Sequence, residues 1–392
     1  MQVRQGPVAA GERRILTVVA LGALVVPAAA SPALRLGGVE VRPAGYVQGD
    51  TRVFPGWDAE PGQRSDGFDV RHLRGGARLK SARISGQIIV DVAGFANRAM
   101  GDDVAPLFVL RQRLKDAYLD AVVRQGLVVR AGHFKVPVSR EFLVPEQRTD
   151  FIERATFSIG MAPGRDWGVM AHGRLGVARG LGYMLGAFAG DNWAEASRAR
   201  NTVAGRLVLE AVPGVHLAVS ATRGDVEGPG LQGKSASGWV FCRRPATQGQ
   251  RRRLGADVLY IAGPVALTAE LLQSREERHR ARPAEDLAPV VGVGWSTAAR
   301  WRLRGPRPTA EPAWRGASLD VALRFDSLRF DDPEGGASSS HAVAASVSYE
   351  PRSWIRLLAN GVVDRYGEGA RVPAGRERSY LTLLGRLQLV IP

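Results

Sequence analysis

The sequence predicts an all-β fold, a transmembrane antiparallel β-barrel of sixteen strands, and three observations predict it. Past residue 40, apolar residues recur at every second position in runs of about ten, and long helix-period stretches are missing. Short Gly/Pro turns alternate with long polar connections. The chain opens on a segment with the build of an export signal, and no later run of eighteen apolar residues offers a membrane-spanning helix.

At the start, Arg4, Arg13 and Arg14 form a positive region, Ile15 to Val26 an apolar one, and Pro27 with Ala28, Ala29 and Ala30 a small-residue cleavage site. About a dozen apolar residues at ~1.5 Å each are too few to cross ~30 Å of hydrocarbon. Residues 1–30 are therefore expected to be a signal peptide cleaved near Ala30, and residues 31–392 a single barrel domain. Removing three Arg and Glu12 lowers the formal charge from +15 by two. An exported basic chain points to anionic lipid or small anions as partners, not to nucleic acid. Of its 53 basic residues only Lys80, Lys115, Lys135 and Lys234 are lysines, so guanidinium chemistry dominates. Cys242 is the sole cysteine; no intramolecular disulfide can form and the framework must be held otherwise.

The strand pattern is clearest toward the C-terminal end. Trp295, Thr297, Ala299, Trp301 and Leu303 share one face, with Ser296, Ala298, Arg300, Arg302 and Arg304 on the other. Leu319, Val321, Leu323 and Phe325 alternate with Asp320, Ala322, Arg324 and Asp326, and Leu381 to Ile391 repeat the arrangement against Tyr380, Thr382, Arg386 and Gln388. A soluble β-sandwich would alternate in the same way. The connections separate the two folds. Short turns are expected at Pro213-Gly214, Gly263-Pro264 and Pro351-Arg352, and loops over Asp225 to Ser237, Glu276 to Leu287, Asp331 to Ser340 and Gly367 to Arg378. Short periplasmic turns and long extracellular loops are the plan of an outer-membrane barrel. Sixteen or seventeen candidate strands lie between Val41 and Ile391, and the even number is the rule for such barrels. At that size the lumen holds water and the polar face lines it. Trp295 and Trp301 face outward, either toward the aromatic belts or as ordinary lipid-facing residues.

From Leu114 to Gly190 the chain resembles the phosphate-selective porin O/P family. The words that carry the resemblance are Leu114-Lys115-Asp116-Ala117-Tyr118, Val129-Arg130-Ala131-Gly132-His133-Phe134-Lys135-Val136-Pro137, Phe151-Ile152-Glu153-Arg154 and Ala162-Pro163-Gly164-Arg165-Asp166-Trp167-Gly168-Val169. Arg253 to Asp257, Ala262-Gly263-Pro264, Glu270 and the closing Gly385-Arg386-Leu387-Gln388 extend it more loosely. The resemblance implies a trimeric sixteen-stranded porin. Three departures stand out: the chain closes on Val390-Ile391-Pro392 and not on an aromatic residue, its scarcity of lysine means that no lysine site is carried over, and Val347-Ser348-Tyr349 replaces the Asn-Trp-Tyr common in a late strand of the family.

The chemistry expected of such a chain is an anion-favouring diffusion channel. Arginine replaces the lost hydration of an anion with charge-assisted hydrogen bonds, and its planar fork suits phosphate. Arg300, Arg302 and Arg304, about 6.5–7 Å apart along one strand face, are candidate anion contacts, as are Arg324 and Arg386. Glu141 to Arg165 is a long connection that could fold into the lumen, with Lys135, Arg148, Arg154 and Arg165 as constriction candidates. Equally, Glu153 and Arg154 could pin that loop to the wall, and the ladder arginines could pair with carboxylates on neighbouring strands. No cofactor or metal is expected, because His72, His133, His172, His216, His279 and His341 are scattered without ligand spacing. No nucleophile elbow, Walker loop or paired-cysteine motif supports an outer-membrane enzyme. A plugged structural or adhesive barrel and a soluble periplasmic β-protein are the remaining alternatives.

Overall fold

A computed structural model of the chain describes residues 33–55, 66–93, 113–175, 180–190, 200–235, 238–242, 245–281, 284–308, 317–333, 335–372 and 378–391. The expected signal peptide at 1–30 lies outside them. A short strand β1 (Leu34–Leu36) precedes the wall strands β2 (Val39–Val53), β3 (Gly67–Lys80), β4 (Ile84–Asp91), β5 (Leu114–Arg124), β6 (Leu127–Lys135), β7 (Arg165–Arg174), β8 (Leu181–Phe188), β9 (Arg200–Leu209) and β10 (Val215–Pro229). The small β11 (Gly233–Lys234) and β12 (Val240–Cys242) follow, then β13 (Ala246–Ala262), β14 (Val265–Ala281), β15 (Ala284–Arg304), β16 (Ser318–Asp332), β17 (Gly336–Arg352), β18 (Ile355–Tyr366) and β19 (Ser379–Ile391). Each wall strand pairs antiparallel with the next, β10 passing directly to β13. β19 returns to β2, with Arg386 opposite Asp50 and Gln388 opposite Gln48, so the sixteen wall strands close into a barrel.

Closure follows from the alternation. A strand wet on one side and oily on the other satisfies its backbone only by pairing on both edges, and in lipid only a closed ladder leaves no edge. The predicted faces hold in β16, β19 and, as far as Arg302, in β15: Trp301 (55%), Leu323 (62%) and Leu383 (43%) lie bare on the outside, while Asp320, Arg324, Arg386 and Gln388 are buried within. Among the described residues no helix is long and apolar enough to cross a membrane.

The turns sit where they are expected, with small shifts. Gln125-Gly126 joins β5 to β6 with Gly126 at φ +79, where a Cβ would stand 2.6 Å from the Arg174 carbonyl. Gly263-Pro264 joins β13 to β14, whereas Pro351-Arg352 ends β17 and the turn falls at Ser353-Trp354. The expected long loops are partly corrected. β14 continues to Ala281 and β15 resumes at Ala284, so Glu276 to Leu287 is a hairpin; likewise β16 and β17 consume most of Asp331 to Ser340, and β10 runs on to Pro229. Polar composition does not end a ladder, because its hydrogen bonds are made by the backbone whatever side chains the strands carry.

The connection from β6 to β7 folds inward. It holds a short helix α1 (Arg140–Leu143), a 3₁₀ turn at Glu146–Arg148 and a second helix α2 (Thr156–Met161). α2 packs against the inner wall of β14, β15 and β16, with Phe157 and Met161 fully buried. The wall makes room by omission: a Cβ on Gly294 would lie 2.2 Å from that of Phe157, and one on Gly292 2.8 Å from Met161 Sδ. Further along, Phe151 and Ile152 sit on an apolar patch of the inner face made by Ala322, Ala342, Ala344, Leu358, Val362 and Leu384. Each such side chain contributes roughly 1.5–3 kcal/mol by leaving water.

Candidate functional site, a basic passage beside an inward loop

Polar contacts fix the inward loop on most of its circuit. Glu141 N donates to Glu270 on β14 (2.8 Å), Ile152 N to Asn360 on β18 (2.6 Å) and Thr156 N to Asp326 on β16 (3.1 Å). Arg356 on β18 donates to the carbonyls of Gln147 and Thr149, and Ser346 on β17 to that of Asp150. Glu153 takes Arg52 of β2 at 2.7 Å and Arg71 of β3 at 3.1 Å. Glu146 takes Arg74 at 2.5 Å and His72 at 3.0 Å. Burial pushes the Glu146 carboxyl up, but Arg74 and His72 outweigh it and hold it well below the usual carboxylate range.

Two cavities of unequal size border the loop. On the β13–β16 side one of about 70 Å³ is bordered by Arg140, Arg148, Arg300 and Arg324. On the β2–β8 side another holds about 510 Å³. That larger space is lined by Arg74, Arg78, Arg130, Lys135 and Arg165, with Asp116 and Glu146 the acidic groups and Tyr46, Tyr118 and Phe134 the aromatic ones. Arg130 makes a bidentate pair with Asp120 (2.8 and 2.8 Å) while its guanidinium lies over the Tyr118 ring at 3.8 Å. Arg165 pairs with Asp116 at 3.2 Å. Arg78 is exposed to the cavity, and no carboxylate lies within 4.0 Å of it among the described residues.

The residues singled out from sequence are distributed as follows. Arg300 and Arg302 face inward, but Arg300 pairs with Asp150 of the loop (3.0 Å) and Arg302 with Asp320 of the adjoining strand (2.5 Å). Arg304 lies past a break in register, exposed and opposite Leu319 of the outer face. Arg324 is buried between Asp326 and the Glu153 carbonyl, both at 3.0 Å, with its guanidinium 4.5 Å from the Phe151 ring centroid. Arg386 grips Asp50 with two bonds of 2.7 Å across the closing seam. Lys135 points its ammonium at the carbonyls of Phe142 (2.6 Å), Leu143 and Val144, holding the end of α1. Arg154 donates to the Val144 carbonyl at 2.7 Å and so braces the loop on itself. Arg148 borders the smaller cavity and Arg165 the larger one. Sequence reasoning passed over Arg74, Arg78, Arg130 and Glu146 as site residues. For Arg130 a signal was present, in the Val129 to Pro137 word; for Arg78 the alternation with Leu79 gave only its facing. No group of three or more His, Cys, Asp or Glu comes together to hold a metal ion among the described residues.

A closed barrel of sixteen strands is an architecture shared with known proteins. The model of the family "Phosphate-selective porin O and P" matches residues 41–391. The chain belongs to that family. A search of curated proteins finds no match to it. Among solved structures it is similar to the anion-selective porin of Comamonas acidovorans, at 13% identity and a TM-score of 0.59, covering 90% of this chain and 99% of that one. It is similar to the outer membrane channel DcaP of Acinetobacter baumannii, at 12% identity and a TM-score of 0.59, covering 91% and 99%. The trimer form of OmpT, an outer membrane protein of Vibrio cholerae, gives 10% identity and a TM-score of 0.61 over 90% and 99%. At these identities the likeness is one of fold. Family and fold make this porin an outer-membrane channel rather than an enzyme.

Proposed function

We propose that residues 31–392, after removal of the signal peptide near Ala30, form a water-filled channel for passive diffusion of phosphate or other small anions, working as a homotrimer in outer-membrane lipid. The observation that carries this reading is Arg78. The other cations of the larger cavity are engaged, Arg74 with Glu146, Arg130 with Asp120, Arg165 with Asp116 and Lys135 with backbone carbonyls. Arg78 is the guanidinium left over at the cavity, an excess positive charge that attracts an anion and repels a cation. The anion selectivity of the Comamonas porin and the trimeric form of the Vibrio protein support the reading. A second reading, a plugged barrel without a cofactor or solute, is favoured by the many bonds that pin the loop to β2, β3, β14, β16, β17 and β18.

Reversal potential of the purified protein in planar bilayers under a salt gradient tests both. An anion-selective current that phosphate reduces on titration is the expected result. A cation-selective current would sink the anion reading, and absence of conductance would establish the plugged barrel. N-terminal sequencing of the exported protein checks cleavage at Ala30.

A further inference from the structure

Outside the barrel, three arginines stand side by side where oil should be. Arg223 of β10 is directly opposite Arg252 of β13, and Arg252 directly opposite Arg275 of β14. All three are exposed on the outer face, the face of Val219 (56%), Leu254 (61%) and Leu271 (48%). The same row continues to Val203 (54% exposed) on one side and Val291 on the other, so its level is still flanked by apolar wall. Four residues below, the row of Val219, Ala256, Leu271 and Trp295 is apolar throughout. At ~3.3 Å per residue the arginines lie about 13 Å along the strands from it, toward the long-loop end. That is the edge of the hydrocarbon on the extracellular side.

Directly opposite residues have Cβ atoms about 4.5–5.5 Å apart, and like charges so placed repel. Asp225 and Glu277 lie on the same face one step further out, but neither closes an ion pair with the row. No carboxylate lies within 4.0 Å of Arg223, Arg252 or Arg275 among the described residues. Arg252 spends two of its donors on Gln250 Oε1 (3.1 and 2.7 Å), and Glu277, one step further out, accepts from the Gln250 backbone N at 2.8 Å. A row of three guanidinium groups spanning about 10 Å, half in oil and open to the headgroup layer, is complementary to phosphate carried on a lipid.

We propose that Arg223, Arg252 and Arg275 form an external site for the phosphorylated saccharide headgroup of an outer-leaflet lipid, whose acyl chains lie on the Leu254 and Leu271 wall below. The site is on the opposite side of the wall from the passage and does not depend on what the channel conducts. The test titrates the detergent-purified full chain with bisphosphorylated lipid A. Saturable binding is expected, weakened by about tenfold or more in R223Q/R252Q/R275Q and with lipid A stripped of its phosphates, and largely kept in R223K/R252K/R275K. Single-channel conductance should be the same in all three proteins, which shows that the glutamine variant is folded. Equal binding by the wild type and the glutamine variant, or equal binding of the dephosphorylated lipid, would overturn the proposal.

Discussion

The two sides of the lumen are built from the same residue types and do different work. On the side of β14–β19 each inward arginine meets a carboxylate or a carbonyl, Arg300 with Asp150, Arg302 with Asp320, Arg324 with Asp326 and Arg386 with Asp50, and the loop rests on an apolar seat. On the side of β2–β8 the loop is tied to β2 and β3 at Glu146 and Glu153, and Arg78 borders open space. An arginine in a barrel wall is therefore mortar or lining according to whether an acid is within reach, on an adjoining strand as for Arg302 and Arg386 or on the loop as for Arg300. Buried pairs of this kind add little net stability over an apolar wall, but losing one member leaves an uncompensated charge.

That difference can be broken most severely at Glu153, which neutralises Arg52 and Arg71 at once. Glu153→Ala is expected to cost about 3–5 kcal/mol, read as a lower urea midpoint for unfolding of the barrel. A null shift would show that the loop is not fastened as described. Second in size is Gly294→Leu, whose Cβ would collide with Phe157 and push α2 off its seat. Overpacking of this sort costs about 1–3 kcal/mol, and because the loop edge moves, the single-channel conductance should change as well. Unchanged conductance would separate the seat from the passage.

A smaller effect comes from Glu146. Its folded pKa lies below its ordinary value of 4.5, so its contribution is complete above that value and is lost as the pH falls from 4.5 through the depressed folded value. Loop attachment at Arg74 should weaken as the pH falls below 4.5. Protease nicking of the loop as the pH falls below 4.5 is the measurement, and Glu146→Gln should reduce its pH dependence.

Much of the wall was legible in the sequence, since a period of two assigns each residue of a strand a face: Trp295 and Trp301 outside, Ser296 and Arg300 inside. The partners of those inward residues were not legible. Asp150 is 150 positions from Arg300 and Asp50 is 336 from Arg386, so only closure and the inward loop bring them together. A usable signal for the loop did exist. Ala322, Ala342, Ala344, Leu358, Val362 and Leu384 break the polar rule of the inner face, and Gly292 and Gly294 empty it, which marks where something else must pack. Loop composition misled at Glu276 to Leu287 because a charged hairpin in water keeps its ladder as well as an apolar one does.

The finest test of the comparison sets Arg78 against Arg304. Both are exposed, and replacing either by Gln removes one positive charge with no carboxylate left behind, so stability should move by no more than about 0.5 kcal/mol. They differ in surroundings. Arg78 borders a cavity of about 510 Å³ whose protein walls focus its field, whereas Arg304 lies at the short-turn rim opposite Leu319, where salt screens a charge within ~8 Å. Arg78→Gln should therefore move the reversal potential toward zero and blunt the block by phosphate, and Arg304→Gln should leave both where they were. Equal shifts would mean that selectivity follows the net charge of the whole wall, and the unpaired guanidinium at the cavity would lose its special place.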